Sequence, residues 1–159
     1  MLTIEVHTQI HRPTHEVFAF LADFTHMPLW NYYVSSVTQV TSGPVRLGTV
    51  FDQVRQSDRQ QYAVTEFTPD QQVAVRTLLP ARPLTLRFRV TPGAQGAQVI
   101  ETWELETGLL RPLERLAEPR VRAAVAVNLA VLTTLLEKGE AQLPDGRSVR
   151  YPIPASKQE

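Results

Sequence analysis

The chain has 159 residues, 43% hydrophobic and 20% charged, and its 16 basic and 16 acidic side chains leave no formal net charge. That length is one domain, able to bury about 70% of its unfolded surface without a disulfide or metal staple. With no cysteine, disulfides, thiol nucleophiles, Cys-ligated zinc and iron–sulfur clusters are excluded.

Balanced charge also disfavours nucleic acid, whose partners concentrate basic residues. No continuous apolar run reaches the ~18 residues of a membrane span. Met1-Leu2-Thr3-Ile4-Glu5 lacks the basic start and apolar stretch of a signal peptide. A soluble, cytoplasmic protein without a membrane span is the expectation.

Leu2, Ile4, Val6 and Ile10 alternate with Thr3, Glu5, His7, Gln9 and His11, the period of a half-buried strand. Pro13 stops it, and Thr14 is placed to cap a helix with Glu16 in its first turn. Val17, Phe18, Phe20, Leu21 and Phe24 make that helix amphipathic. Met27-Pro28-Leu29-Trp30 predicts a second brief helical turn, since proline is tolerated in a first turn.

From residue 32 to 107 the texture changes to short runs broken by turn residues. Strands are expected over 32–41, 49–56, 60–67, 73–79, 84–90 and 98–107. Thr68-Pro69-Asp70-Gln71 reads as a type I turn, and Pro92-Gly93-Ala94-Gln95-Gly96 as a loose hairpin. Successive hairpins imply an antiparallel meander with one packed face.

After Gly108 the period becomes helical. Val121, Val125, Asn128, Leu132 and Leu135 share a stripe, and Lys138-Gly139 supplies a cationic last turn and a left-handed stop. A helix over 119–138 is ~30 Å long, and residues 109–118 read as a preceding turn, kinked or separated at Pro119. Residues 142–159, with Pro144, Pro152 and Pro154, read as a tail after a domain spanning 1–141. The class is α+β: a seven-stranded antiparallel sheet with one apolar face, covered by the last helix. Such a sheet curls, and the space left under the helix is the natural ligand site.

The run Ile10-His11-Arg12-Pro13-Thr14-His15-Glu16-Val17-Phe18-Ala19-Phe20-Leu21-Ala22-Asp23-Phe24 resembles the START/Bet v1-like (SRPBCC) superfamily, and within it the polyketide cyclase/dehydrase-like group. Met27-Pro28-Leu29-Trp30, Gly43-Pro44, Gly48-Thr49, Asn128-Leu129-Ala130-Val131-Leu132 and Leu136-Glu137 are similar too, so the resemblance spans roughly residues 2 to 140. It implies a helix-grip fold whose curved sheet wraps a long C-terminal helix, with two short helices after the first strand. It also implies a cavity for a hydrophobic small molecule or lipid. Some members cyclise or dehydrate polyketides and others carry lipids or hormones. They share no catalytic motif that carries over to residues here.

Glu101 is the most informative carboxylate, because Val99, Trp103 and Leu105 share its parity in an otherwise apolar strand phase. A buried carboxyl must be paired, hydrogen-bonded or protonated, and such groups concentrate at functional sites. A structural pairing is the commoner outcome; a general acid/base is the sharper one. Glu66 is ambiguous between faces. Asn128, in the middle of the helix stripe, needs partners for its amide. Trp30, Tyr32, Phe51, Tyr62, Phe88 and Trp103 supply aromatic bulk, each more often core than wall. Together with Glu66, Glu101 and Asn128 they are the expected ligand site. His26, one turn before Trp30, is a further candidate at the cavity mouth. Arg111, Arg115, Arg120 and Arg122 cluster, which is usually a solvated helix face and otherwise a contact for an anion or acidic partner.

The first reading of function is therefore binding of a hydrophobic, aromatic or polycyclic molecule in an internal cavity. The second is a cyclase or dehydratase using Glu101. The third is an interaction module with a closed core, contacted through the arginines and tail. A hydrophobic small molecule is the expected partner, with a homodimer as a further arrangement, and no cofactor is expected. His7 and His11 lie ~13 Å apart along a strand, too far for one metal. Thermal melts with and without EDTA should therefore coincide; a drop of several degrees that Zn²⁺ reverses would reveal a metal site.

Overall fold

A computed structural model describes residues 1–151. The chain runs β1 (Leu2–Ile10), α1 (Thr14–Ala22), a 3-10 turn (Phe24–Leu29), β2 (Val34–Gln39), β3 (Val50–Arg55), β4 (Arg59–Thr68), β5 (Gln72–Thr77), β6 (Leu84–Gly93), β7 (Gly96–Leu105) and α2 (Arg111–Lys138). The seven strands form one antiparallel sheet in the order β1-β7-β6-β5-β4-β3-β2. This is the curled half-barrel of the helix-grip architecture, α+β, with α2 in its grip.

Each strand presents the same logic. Ile4 and Ile10 of β1, Leu86, Phe88 and Val90 of β6, and Ala97 and Val99 of β7 point inward and are buried. Val125, Leu129, Leu132 and Leu135 of α2 meet them. By length and composition α2 could cross a bilayer, but here its apolar stripe is packed against the sheet. Two contacts anchor it along β1: Arg122 Nη1 donates to the Glu5 carbonyl at 2.9 Å, and the Thr133 and Thr8 hydroxyls lie 3.0 Å apart.

Several local expectations are corrected. Pro13, not Thr14, occupies the N-cap of α1 and makes no side-chain cap bond. Asp70 has φ 61°, so the turn after β4 is left-handed at its third residue, as in a type II turn, a conformation Asp tolerates. Helix α2 begins at Arg111 and passes through Pro119 without ending. Arg115, whose carbonyl loses its partner there, is exposed, so water can replace the missing N–H. A hairpin, β8 (Glu140–Gln142) and β9 (Ser148–Arg150), spans the boundary placed after residue 141. Its turn buries Leu143, and Tyr151 meets Phe20 edge-on at 4.7 Å. Three-residue strands leave too little periodicity to read. Residues 152–159 of that segment lie outside the described residues.

Gly139 ends α2 in the left-handed conformation, its N–H bonded to the Leu135 carbonyl at 2.8 Å. Gly96 begins β7 at φ 144°, where an added Cβ would sit 2.3 Å from the Ile10 carbonyl oxygen. Both objections are backbone ones that no side-chain movement relieves. Gly96→Ala should therefore cost about 1–3 kcal/mol, measured by urea unfolding. An unchanged midpoint would show that the β1–β7 edge can spread.

Candidate functional site

Between the sheet and the middle of α2 lies a cavity of about 370 Å³. Its walls come from the 3-10 turn and the loop after it (Met27, Asn31, Tyr33), from β3–β7 and from α2 (Arg120, Val121, Ala124, Val125, Asn128). Apolar surface dominates, with Val75, Leu84 and Leu86 on the sheet side. Polar groups also stand in the wall, among them Arg55, Gln56, Ser57, Thr77 and Arg120. Asn31, Gln53, Gln60, Tyr62 and Asn128 are all buried and all in the wall. Gln53 and Gln60 are direct register partners, and the Tyr62 hydroxyl donates to Gln53 Oε1 at 3.2 Å. Burial raises the Tyr62 phenol well above its ordinary value, so it is a neutral hydrogen-bonding group.

Of the residues expected at the site, Tyr62, Trp103 and Asn128 line this cavity. Trp30, Phe51 and Phe88 do not. They form an aromatic cluster with Phe24, which stands 5.4 Å from Phe51, 5.6 Å from Tyr62 and 6.1 Å from Phe88, while Trp30 meets Phe88 edge-on at 5.8 Å. At 0–1% exposure they are the packed base that holds the wall rather than the wall itself. The Tyr32 ring lies 4.0 Å from that of Tyr33, tilted by 34°, and it is Tyr33 that reaches the cavity. Glu66 lies outside: a register shift between Val64 and Glu66 turns it to Arg87, which grips both its oxygens at 2.7 and 2.9 Å. That guanidinium holds the Glu66 carboxyl below its ordinary range. His26 also stays out of the wall, its Nδ1 2.9 Å from the Phe20 carbonyl and its ring stacked on Phe20 at 4.5 Å.

Glu101 is 2% exposed and opposes Val6 of β1 and Phe88 of β6. Its Oε1 accepts from Trp103 Nε1 at 2.7 Å, and its Oε2 has no partner among the described residues. Burial raises the carboxyl to about 8, against a smaller downward pull from the Trp103 bond. It is therefore protonated at neutral pH. Trp103 stands in the cavity wall and Glu101 does not, so the carboxyl fixes the indole from the side away from the ligand space. Asn128 presents a second buried oxygen without a partner, Oδ1.

The wall residues missed in the sequence share one signal. Gln53 keeps the buried phase of Phe51, and Gln60 keeps that of Tyr62 and Val64. Polar residues in an apolar phase identify Glu101, and the same test identifies these glutamines. Val121, Ala124 and Asn31 carry no such mark.

Two substitutions test this geometry. A carboxyl whose folded value lies above its unfolded one gives stability below about pH 4 that is lost as pH rises through about 8. Glu101→Gln keeps the acceptor for Trp103 and removes that titration. The variant should gain on the order of 5 kcal/mol over the parent across that range, read as a growing difference in melting temperature. Parallel pH profiles would place the Glu101 carboxyl in water. Asn128→Leu removes a buried oxygen that lacks a donor, so stability should hold or rise by about 1–2 kcal/mol in chemical denaturation. A loss of that size would mean the amide has a partner that anchors α2.

The chain matches the family model described as polyketide cyclase / dehydrase and lipid transport over residues 1–137. No curated protein sequence matches it. Among solved structures it is similar to the protein NE0264 from Nitrosomonas europaea, with TM-score 0.67 and 14% identity over 86% of this chain and 95% of that one. It is similar to the Aha1 dimer from Colwellia psychrerythraea, with TM-score 0.64 and 15% identity over 87% and 98%. DynU16, a protein of the dynemicin biosynthetic locus, gives TM-score 0.66 and 16% identity over 91% of this chain and 49% of its own. Identities this low establish a shared fold and no more. With the family model covering nearly the whole described domain, the chain belongs to the polyketide cyclase/dehydrase and lipid transport family of the SRPBCC superfamily.

Proposed function

We propose that this protein binds a hydrophobic small molecule, aromatic or polycyclic in character and carrying at least one hydroxyl or carbonyl, in the cavity between the sheet and α2. The observation that carries this reading is the wall itself. A space of about 370 Å³ with more apolar than polar surface, lined also by buried amides, a neutral phenol and the arginines Arg55 and Arg120, has the make-up of a small-molecule site. Tyr33, Tyr62 and Trp103 offer ring faces and edges. Gln53, Gln60 and Asn128 offer amides that discriminate a polar substituent from a hydrocarbon, because an unmatched buried amide is costly.

Acid–base catalysis at Glu101 has less support. A general acid must come within hydrogen-bond reach of the atom it protonates, and Trp103 rather than Glu101 meets the cavity. A closed interaction core fits poorly with an open cavity of this size.

Trp103 is in the wall and Trp30 in the core, so a Trp30→Phe background leaves Trp103 as the sole reporter. Titration with a hydroxylated polycyclic aromatic should quench or shift its emission with saturation. Ala124→Trp, which fills the space from the helix side, should weaken that binding at least roughly tenfold with the fold intact by circular dichroism. Unsaturable emission changes, or equal binding by the filled variant, would reject the cavity as the site.

A further inference from the structure

The cavity wall grades from buried to open along one face of α2. Asn128 and Val125 are buried, Ala124 and Val121 half-buried, and Arg120 exposed. The β3–β4 turn adds exposed Gln56 and Ser57 to the same wall, and the loop before β2 adds Tyr33 at 41% exposure. The cavity therefore opens where Arg120 stands and closes toward Asn128, about 12 Å further along the helix.

Charge at this mouth is one-sided. The wall holds two guanidiniums, Arg55 and Arg120, and no Asp or Glu among the described residues. Arg55 is already balanced: its Nε and Nη2 donate to the two Asp58 oxygens at 2.7 and 2.6 Å. Arg120 forms no ion pair among the described residues. Its neighbours one helical turn away are Leu116, Ala117, Ala123 and Ala124, and Glu118 is taken by Arg122 at 2.8 Å. A guanidinium left without an acid at the edge of an apolar cavity can hold a carboxylate through two parallel N–H bonds. Such a bond gains strength where water is partly excluded. One unbalanced charge suits a monoanionic carboxylate better than a phosphate, which carries about −1.5 to −2 at neutral pH. The inner end has a different need. Asn128 Oδ1 is a buried acceptor without a donor, and a ligand hydroxyl satisfies it without bringing charge into the core.

We infer that the cavity ligand is an amphipathic hydroxy acid: Arg120 holds its carboxylate at the mouth, its aromatic body fills the apolar middle, and a hydroxyl at its far end donates to Asn128 Oδ1. Arg120 is then the residue that separates acids from neutral molecules of the same shape. This rests on the cavity-binding reading above and adds to it the charge and the orientation of the ligand.

The test is calorimetric titration of the full chain with probes of one shape: a hydroxynaphthoic acid with its substituents at opposite ends of the rings, the matching carboxamide, naphthoic acid and naphthol. The hydroxy acid should bind roughly tenfold or more tightly than the carboxamide. Added NaCl should narrow that gap, because the mouth is open to screening ions. Arg120→Gln should bring the acid down to the carboxamide's affinity and leave the carboxamide unchanged, and Arg120→Glu should make the acid the weaker of the two. Asn128→Leu should abolish the advantage of the hydroxy acid over naphthoic acid. Arg120 is exposed, so both of its variants should melt with the parent. Acid recognition is overturned if acid and carboxamide bind the parent equally, or if Arg120→Gln leaves the preference for the acid intact. The orientation is overturned if Asn128→Leu keeps the advantage of the hydroxyl. Failure of the cavity reading looks different: none of the probes binds saturably, or Ala124→Trp binds them all as the parent does.

Discussion

The structure depends on one constraint: a seven-stranded antiparallel sheet with a single apolar face must curl and be covered from one side. Helix α2 is the cover, seated by Val125, Leu129, Leu132 and Leu135 and anchored at β1 through Arg122 and Thr133. A straight rod cannot fill a concave surface along its whole length. Toward the end that carries Leu129 to Leu135 the contact is close-packed. Around Val121 to Asn128 the sheet bends away, and the remainder is the cavity. The aromatic cluster of Phe24, Trp30, Phe51 and Phe88 supports the wall from behind.

Glu101 sits where core and cavity meet. A carboxyl at 2% exposure is unfavourable, and the structure meets that cost by keeping it neutral and using it to hold the Trp103 indole. A fixed indole presents one unchanging face to the cavity. Asn128 makes a similar compromise on the helix side. Its oxygen is buried without a partner, and its amide adds polarity to the cavity wall.

The other end of α2 inverts this arrangement. At the start of α2, Leu113 and Leu116 join no core and stay exposed.

The sequence alone is enough for the class of fold, the meander from β2 to β7, the inward phase of β1, β6 and β7, the stop at Gly139 and the inward phase of Glu101, because each follows from a local period or a single chain turn, whereas the pairing of β1 with β7 does not. Periodicity also marked Asn128, and could have marked Gln53 and Gln60. It could not separate wall from core: Trp30, Phe51, Phe88, Tyr62 and Trp103 are all inward aromatics, and only the curvature of the sheet decides which of them face the empty space. It could not place Glu66, because a one-residue register shift sends a side chain to the opposite face. Nor could it say that Pro119 stays inside α2 or that residues 140–150 form a hairpin, since both depend on neighbours brought from elsewhere in the chain. The cavity and the uncovered leucines are properties of how two surfaces fit, and fit exists only once the sheet and the helix are packed together.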